Sequence, residues 1–416
     1  MPKTLLVIGA GREAIPGLQH AREMGLYLVA TDANPHAAGF AYTDEQLIIS
    51  TYDVNGTVSA ACLYARDNRV DGVIALAADV PLTVATVAQA LELPGISLGT
   101  ARRCSNKLTQ IRFLAAAGIP VPWYSEVRSA EHLKVLAQGV PWRLVVKPAD
   151  SRGARGVIRL SEPDAYRHGP TGIDPVWAYE HARSQSPTGR VVCEEWLSGP
   201  QISTETVLHG GWAETPGFID RNYARLQEYA PYVIEDGGEQ PSRLTSTEQV
   251  AVRAVAERAA RALGIANATA KGDIVLTKDG PVVIEMAARP SGGLMSSVQV
   301  PLATDVDLIR IALRLALGQP VFREETLPSI QRGVAIRYLW PQPGRVTAIR
   351  NVDAVCALRT VAHVDIPLKI GDAVRIVTDH TRRAGCVIAV GETRQDAVAS
   401  AEAAVGMIDI ETEKVS

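Results

Sequence analysis

The sequence predicts a protein of several α/β domains. Over the first 100 residues, short apolar runs typical of buried strands alternate with helical stretches, which indicates a parallel sheet covered by helices. Between residues 331 and 391, short strands separated by glycine and proline predict a smaller unit near the end of the chain. At roughly 100 to 200 residues per domain, 416 residues allow two to four domains and at least one cleft between them.

Composition and charge favour a small-molecule partner. The chain has 42 Lys and Arg residues against 45 Asp and Glu residues, a net charge of −3, and no basic run of the kind that binds nucleic acid. Its five cysteines include no C-x-x-C pair, so neither a zinc ribbon nor a disulfide framework is expected. No apolar stretch approaches the length of a membrane span, and the first residues do not resemble a signal peptide. We therefore expect a cytoplasmic protein with neither nucleic-acid nor membrane partners.

A glycine motif follows the first predicted strand. The run from Gly9 to Ala14 fits G-x-G-x-x-G/A, and Asp32 ends the next strand. Such glycines let the backbone approach a pyrophosphate, and such an acid binds a ribose hydroxyl, so one interpretation is an NAD(P)-dependent dehydrogenase. The first turn of any doubly wound domain also requires these glycines, and this second interpretation is favoured.

A lysine and a glycine-containing loop mark the next segment. Lys147 ends an apolar strand, and the loop Ser151 to Gly156 follows it before another strand. Backbone N–H groups beside a cation are suited to a polyphosphate, although the G-x-x-x-x-G-K-[ST] pattern of a P-loop is absent. A loop with two glycines is also the ordinary form of a hairpin. Arg152 and Arg155 favour the anion-binding interpretation, because two arginines in one short loop repel each other unless an anion or solvent separates them.

Two acids lie on a predicted β-hairpin. Strands at residues 273–276 and 282–286 are joined by a turn that contains Asp279 and Gly280, a strong hairpin signal. Asp273 and Glu285 could then face one side and share Mg²⁺ with nucleotide phosphates. The alternative is a pair of solvated acids on an exposed face. Against it, Glu285 is embedded in an apolar strand, where an unpaired charge is costly.

Past this hairpin, Arg289 precedes a Ser291-Gly292-Gly293 turn. Backbone N–H groups beside an arginine can hold a carboxylate or an acyl phosphate. A turn that enters a helix and binds nothing is an equally good interpretation of this motif alone.

Polar and aromatic residues between residues 206 and 240 are less informative. They could line a side-chain pocket, but a surface loop is slightly favoured for the set, which comprises His209, Trp212, Arg221, Tyr223 and Arg225.

In this order, the motifs resemble those of the ATP-grasp superfamily of carboxylate–amine ligases over nearly the whole chain. The runs from Glu285 to Gly293 and from Gly385 to Ala397 look closest to the L-amino acid ligase branch. The resemblance implies an ATP-grasp fold in four parts. These are a doubly wound parallel α/β domain (1–103), a linker helix with a lid (104–190), a nucleotide- and metal-binding domain (191–330) and a small α+β domain (331–416).

The resemblance also implies an ATP site. Lysines would contact the phosphates, the glycine loop would cover them, and main-chain groups of a hinge would bind the adenine. Gln201 stands where the family usually has a glutamate for the ribose, which puts that contact in doubt. The implied set is Lys107, Lys147, Ser151, Gly153, Arg155, Gly156, Glu194, Glu195, Leu197 and Gln201.

For the metal, the resemblance implies Mg²⁺, with Mn²⁺ as an alternative, bound by Asp273 and Glu285. Asp273 replaces the more usual glutamate, and Ala287 replaces an asparagine that contacts metal in many members, so the number of ions stays open. Arg289 and Lys147 would be the catalytic cations. The acyl substrate would be bound by Arg289, Ser291, Gly292 and Gly293.

The implied reaction has two steps. A carboxylate takes the γ-phosphate of ATP to give an acyl phosphate and ADP, and an amine then displaces phosphate to form an amide or peptide bond. An amino acid is the expected substrate, and a homodimer is the expected assembly. Three alternatives remain: a purine-biosynthesis ATP-grasp enzyme that uses a phosphoribosyl amine or carboxyphosphate, the dehydrogenase, and an inactive nucleotide-binding module.

Overall fold

The N-terminal unit is a four-stranded parallel sheet, as the sequence predicts. The structure, a computed structural model, describes residues 2–161 and 172–414. The first elements are β1 (Thr4–Ile8), α1 (Ile15–Glu23), β2 (Tyr27–Asp32), β3 (Glu45–Ile48), α2 (Val54–Tyr64), β4 (Gly72–Ile74) and α3 (Pro81–Ala90). The strand order is β3-β2-β1-β4. Strand β1 is buried throughout because alternate residues pack into two core clusters, Leu5 and Val7 in one, Leu6 and Ile8 in the other.

The lid is an antiparallel sheet backed by helices. It follows two short helices, and the elements are α4 (Leu98–Cys104), α5 (Lys107–Ala116), β5 (Tyr124–Val127), α6 (Ala130–Gly139), β6 (Leu144–Pro148), β7 (Ile158–Arg159), α7 (Pro175–Ser184) and β8 (Val191–Glu195). The strand order is β5-β8-β6-β7, so β8 is an inner strand of the lid sheet. The predicted domain boundary near residue 190 therefore falls between β8 and the rest of its own sheet.

The rest of the molecule contains a large antiparallel sheet of eight strands and a small sheet of three strands, with the helices that pack beside them. Its elements are β9 (Gln201–His209), β10 (Trp212–Asn222), β11 (Gly237–Gln240), α8 (Ser246–Ala262), β12 (Ala268–Thr277), β13 (Gly280–Ala287), α9 (Val300–Thr304), α10 (Leu308–Ala316), β14 (Gly333–Tyr338), β15 (Gly344–Arg350), α11 (Val352–Cys356), β16 (Val361–Asp365), β17 (Ala373–Val374), β18 (Cys386–Gly391), α12 (Arg394–Met407) and β19 (Asp409–Glu413). The predicted hairpin is confirmed, since β12 pairs with β13 and Thr277 lies opposite Gly280.

The large sheet crosses the predicted boundary near residue 330. Its strand order is β13-β12-β9-β10-β11-β14-β18-β16, and β11 pairs with β14. The C-terminal unit thus extends the sheet that carries the two acids. At the other end, α10 packs on the N-terminal sheet, where Ile309 and Leu313 share a core cluster with Leu5 and Val7. The β11–β14 pairing joins the C-terminal unit to the middle of the chain, and the packing of α10 joins the N-terminal unit to it.

None of the helices within residues 2–161 and 172–414 combines the length and the apolar character that a membrane-spanning helix needs.

Candidate active site

Three of the predicted site residues, Lys107, Ser151 and Glu285, line one small pocket. Its walls come from the loop after β4, the start of α5, the glycine loop and the β12–β13 hairpin. The lining residues are Asp79, Cys104, Ser105, Lys107, Gln110, Asp150, Ser151, Arg152 and Glu285. The fold thus brings together Lys107, Ser151 and Glu285, which are far apart in the sequence.

Lys107 connects the lid to the hairpin. Its backbone N–H donates to the carbonyl of Ala149 at 2.7 Å, at the start of α5. Its ammonium lies 2.8 Å from Glu285 Oε1 and donates to the carbonyl of Ser151 at 2.6 Å. Burial opposes both charges, but the attraction between them raises the pKa of Lys107 and, together with Lys271, lowers the pKa of Glu285 to about 2. Both groups are therefore charged at neutral pH.

Asp273 lies directly opposite Glu285 in the β12–β13 pairing, so both carboxylates are on one face of the sheet. Asp273 accepts from Ser203 Oγ at 2.8 Å and from Arg221 Nη1 at 3.1 Å, and it forms an ion pair with Lys271. Burial opposes its charge, but Lys271 and Arg221 lower its pKa. The two acids are thus ionised and adjacent, Asp273 is buried, and 25% of the Glu285 side chain is exposed. These contacts disfavour a pair of solvated acids on an exposed face.

Lys147 forms a buried ion pair in the lid sheet. Its ammonium lies 2.7 Å from Glu194 Oε2, and only 6% and 2% of the two side chains are exposed. The two residues come from the adjacent strands β6 and β8. The other oxygen of Glu194 is buried and has no hydrogen-bond partner among the described residues. A buried acceptor with a free lone pair is ready to receive a ligand donor.

The predicted adenine hinge follows β8. The backbone N–H groups of Glu195 and Trp196 donate to the carbonyls of Trp123 and Arg143 at 2.9 and 2.8 Å, which fixes the chain at the end of the strand. Leu197 makes no backbone hydrogen bond to any residue in 2–161 or 172–414. Gln201 begins β9 in register with Val275. The backbone groups of Leu197 are therefore available to a ligand at the hinge.

The glycine loop has the backbone that its sequence requires. Gly153 and Gly156 have φ angles of 65° and 72°, in the left-handed region. A Cβ on Gly156 would lie 2.8 Å from Pro148 Cγ. The carbonyl of Gly153 accepts from the backbone N–H of His380 at 3.0 Å, and Arg155 Nε donates to the carbonyl of Arg152 at 3.1 Å. The C-terminal unit thus helps to hold this loop.

Asp79 lies between two arginines of the site. Its carboxylate is 3.8 Å from Arg152 Nε and 3.5 Å from Arg289 Nε. Neither Nε nor Asp79 Oδ1 has a hydrogen-bond partner among the described residues, although all three atoms are buried. Sequence analysis missed Asp79. The available signal was its position after β4, since ligands of parallel sheets bind at the carboxyl ends of the strands.

The Ser291-Gly292-Gly293 turn enters a helical segment and also faces the N-terminal unit. The backbone N–H of Ser291 donates to Ser296 Oγ at 2.7 Å, and that of Gly293 donates to Glu13 Oε2 at 3.0 Å. Glu205 is buried behind Ser291, and burial raises its pKa to about 7 despite hydrogen bonds from the two serines. The Glu13 carboxylate therefore already accepts a hydrogen bond from one backbone N–H of this turn, that of Gly293.

The C-terminal unit reaches the same cleft through Arg383. The guanidinium lies 3.8 Å above the ring of Tyr338 and 3.6 Å from Glu235, which also pairs with Arg221. His380 Nε2 accepts from the backbone N–H of Glu235 at 3.3 Å. Burial and the nearby Arg383 and Arg221 hold the pKa of His380 well below its usual value, so the imidazole is neutral.

The favoured surface-loop interpretation of residues 206–240 is wrong for much of the segment. Most of it forms β9, β10 and β11, and nearly all residues of these strands are buried, including polar ones. Only 8% of the Arg221 side chain is exposed. The acid partners of Arg221, which are Asp273 and Glu235, compensate its burial and come from other strands or later loops.

Asp32 supports the N-terminal glycine turn. Its two oxygens accept from the backbone N–H groups of Ala10 at 3.1 Å and Asn34 at 3.0 Å. A Cβ on Gly9 would lie 2.9 Å from the Cβ of Ala78. These contacts agree with the favoured interpretation, in which the glycines and the acid shape a tight turn.

Two protein families match the chain. The ATP-grasp domain matches residues 104–293, which contain the lysines, the glycine loop and the acid pair. The chain therefore contains an ATP-grasp domain, and it is a ligase. The L-amino acid ligase C-terminal domain 2 matches residues 337–413. An ATP-grasp ligase binds ATP and forms a carbon–nitrogen bond, whereas the roles of the individual residues stay predictions.

Relatives of this ATP-grasp ligase cover most of its length. A formate-dependent phosphoribosylglycinamide formyltransferase from Parasynechococcus marenigrum is 25% identical over 98% of both chains. The uncharacterized protein y4rH of Sinorhizobium fredii is 27% identical over 94% of this chain and 79% of its own length. Among solved structures, an L-amino acid ligase from Bacillus licheniformis is 20% identical, with a TM-score of 0.82 over 99% of both chains. A phosphoribosylglycinamide synthetase from Anaerococcus prevotii has a TM-score of 0.75 and is 16% identical. The match covers 99% of this chain and 100% of the synthetase chain. The structural matches show the ATP-grasp fold.

Proposed function

We propose that this ligase joins an amino acid, through an acyl-phosphate intermediate, to the amine of a second amino acid or another amine. The observation that carries the proposal is the ionised pair Asp273 and Glu285 beside Lys107. The same cleft also contains Arg289, next to Asp79, and the Ser291-Gly292-Gly293 turn. The match of residues 337–413 to an L-amino acid ligase domain supports an amino acid as substrate.

The residues present fit Mg²⁺ bound together with ATP. Mg²⁺ is held in such sites by one or two carboxylates plus phosphate oxygens and water. Asp273 and Glu285 supply two ionised carboxylates on one face, and no group of three or more potential metal ligands occurs among residues 2–161 and 172–414. When bound, Mg²⁺ would neutralise charge on the transferred phosphoryl group. Mn²⁺, which also prefers oxygen ligands, is the proposed alternative.

Lys107 and Lys147 are proposed to hold the triphosphate. Each ammonium now pairs with a carboxylate at 2.8 and 2.7 Å, so the phosphates would enter between groups that are already charged and placed. Positioning and charge compensation are the main contributions that a protein makes to phosphoryl transfer. The N–H groups of the glycine loop and the hinge at Leu197 would hold the two ends of the nucleotide.

Arg289 and the Ser291-Gly292-Gly293 turn are proposed to orient the acyl carboxylate. One of its oxygens attacks the γ-phosphorus, the bond from that phosphorus to the β,γ-bridging oxygen breaks, and ADP carries away the electron pair. The amine nitrogen then attacks the acyl carbon, and the carbon–oxygen bond to phosphate breaks. Inorganic phosphate leaves and the nitrogen loses a proton, which gives the amide. Closure of the glycine loop against His380 would keep water from the acyl phosphate.

The test is a matrix of carboxylates against amines, scored by ADP release and by the mass of the product. We expect Mg²⁺-dependent ADP release with amino acids and a product whose mass equals the two substrates minus water. Stabilisation of the pure protein by NADH, with none by Mg²⁺ and ATP, would contradict the proposal.

A second candidate is purine-type chemistry on a phosphoribosyl amine, and the formyltransferase relative with its matching length favours it. The same assay separates the two. ADP release with formate and phosphoribosylglycinamide, and none with amino acids, would identify the second candidate.

We also propose a homodimer in the cytoplasm. A biotin carboxylase domain with this fold is described as a dimer in its structure from Hydrogenobacter thermophilus. All five cysteines are unpaired, which suits a reducing compartment. Light scattering of the purified protein tests the assembly.

A further inference from the structure

The N-terminal glycine motif has no part in the proposed reaction, yet it reaches the active site. Its turn is held by Asp32 and by Gly39, whose backbone N–H donates to the carbonyl of Ala10 at 2.8 Å. Next to it, Arg12 forms an ion pair with Asp365 of the C-terminal unit. This fixed turn presents Glu13 to the cleft, where its carboxylate accepts from the N–H of Gly293.

The Glu13 carboxylate lies directly against the acyl turn, so a side chain on Gly292 would require it to move. A Cβ on Gly292 would lie 2.4 Å from Glu13 Oε2 and 3.9 Å from the carbonyl oxygen of Ala77. On the far side, Tyr338 Oη is 3.7 Å from the position of a Cβ on Gly293. Glu13 therefore borders the space in which the proposed acyl substrate lies.

Only one oxygen of Glu13 is used. Oε2 accepts from Gly293. Arg383 is near enough to interact electrostatically with this carboxylate, but no lysine, arginine or histidine among residues 2–161 and 172–414 forms a direct ion pair with it. Glu13 is an exposed residue. An anion with one oxygen fixed by a backbone N–H and the other open is complementary to an ammonium group.

We propose that Glu13 binds the α-ammonium group of the carboxylate substrate and thereby selects amino acids over acids that lack an amine. The inference rests on the proposed function. In an amino acid, the nitrogen is attached to the carbon next to the carboxylate, so a carboxylate held by Arg289 and the turn brings its ammonium close to Glu13. Formate and bicarbonate have no such group. Glu13 is thus a specificity-determining residue, and the glycine motif is its support.

The experiment measures ADP release by the full chain with an amino acid and with its des-amino analogue. The variant is Glu13→Gln, whose amide oxygen can still accept from Gly293 while the negative charge is lost. The matched control is Glu23→Gln, which removes the same charge from the exposed end of α1. We expect Glu13→Gln to raise KM for the amino acid about tenfold or more, since a hydrogen bond between charged groups is lost. KM for ATP, the kinetics with the des-amino acid and the control variant should be unchanged.

The outcomes separate this inference from the proposed function. Wild-type activity with amino acids and an unchanged KM in Glu13→Gln would overturn the inference alone. Wild-type activity with formate or bicarbonate only would overturn both. The des-amino comparison on the wild type does not depend on the folding of a variant: equal kcat/KM for the amino acid and its des-amino analogue would also overturn the inference.

Discussion

Two clusters of acids and cations border the cleft, and they are built in different ways. In the hairpin cluster (Lys107, Lys271, Asp273 and Glu285), three members lie on β12 and β13, and Asp273 faces Glu285 through strand register. In the junction cluster (Asp79, Arg152 and Arg289), each member comes from a different part of the chain. The hairpin cluster includes a direct ion pair at 2.8 Å, whereas the junction distances are 3.5 and 3.8 Å with orphaned donors.

The difference shows which part of the site is set before ligands bind. Local pairing fixes three members of the hairpin cluster, and Lys107 joins them from α5. The charges of this cluster are paired within the protein itself. The junction cluster depends on how the N-terminal unit meets the lid and the acyl turn. Its unsatisfied N–H groups are therefore available to an incoming anion such as a substrate carboxylate.

The largest effect is expected from the hairpin cluster. Glu285→Gln removes one carboxylate of the proposed metal site and the partner of Lys107, so kcat/KM for ADP release should fall by on the order of 100-fold or more. Asp279→Asn, in the exposed turn of the same hairpin, is the control and should have wild-type activity. Retention of activity by Glu285→Gln in a Mg²⁺ titration would remove Glu285 from the metal site.

A smaller effect is expected from the junction cluster. Asp79→Asn keeps the shape of the side chain but removes the charge between Arg152 and Arg289. We expect about a tenfold loss in kcat/KM for the carboxylate substrate and little change in KM for ATP, because the arginines lose the charge that orients them. Asp67→Asn, on the exposed surface of the same unit, serves as the comparison. Equal losses for both substrates would mean that Asp79 acts on the lid as a whole.

The smallest effect concerns stability behind the acyl turn. Burial raises the pKa of Glu205 from 4.5 to about 7, so the folded protein binds a proton that the unfolded chain has already lost between these pH values. The stability that the folded protein gains from this bound proton is fully present below pH 4.5 and is lost as the pH rises through 7. Glu205→Gln should therefore gain stability relative to wild type, by on the order of 2 kcal/mol, between pH 5 and pH 8.

Urea unfolding of the wild type and of Glu205→Gln at several pH values measures this difference in the free energy of unfolding. His380 is neutral in the fold and titrates in the same range when unfolded, but it is common to both proteins and cancels in their difference. A pH-independent difference would show that Glu205 is ionised in the fold.

The acid pair of the hairpin cluster was accessible to sequence analysis because its signals are local, whereas Lys271 was not singled out. The Asp-Gly turn predicts the hairpin, and the apolar neighbours of Glu285 predict its burial. The junction cluster was not accessible, since nothing local links Asp79 to Arg152 or Arg289. The burial of Arg221 was missed for the same reason: one of its acid partners, Asp273, is 52 residues away in the sequence.

The sequence by itself determined the order of strands, helices and glycine turns, and the residue types suited to a nucleotide and a metal. Periodicity, turn residues and motif spacing act over short stretches of chain, so they can be read without the fold. Only the tertiary structure decided that β8 belongs to the lid, that β14 and β18 continue the large sheet, and that Glu13 meets Gly293. These contacts join residues far apart in the chain, and they are selected by burial and strand pairing of the whole molecule rather than by local pattern.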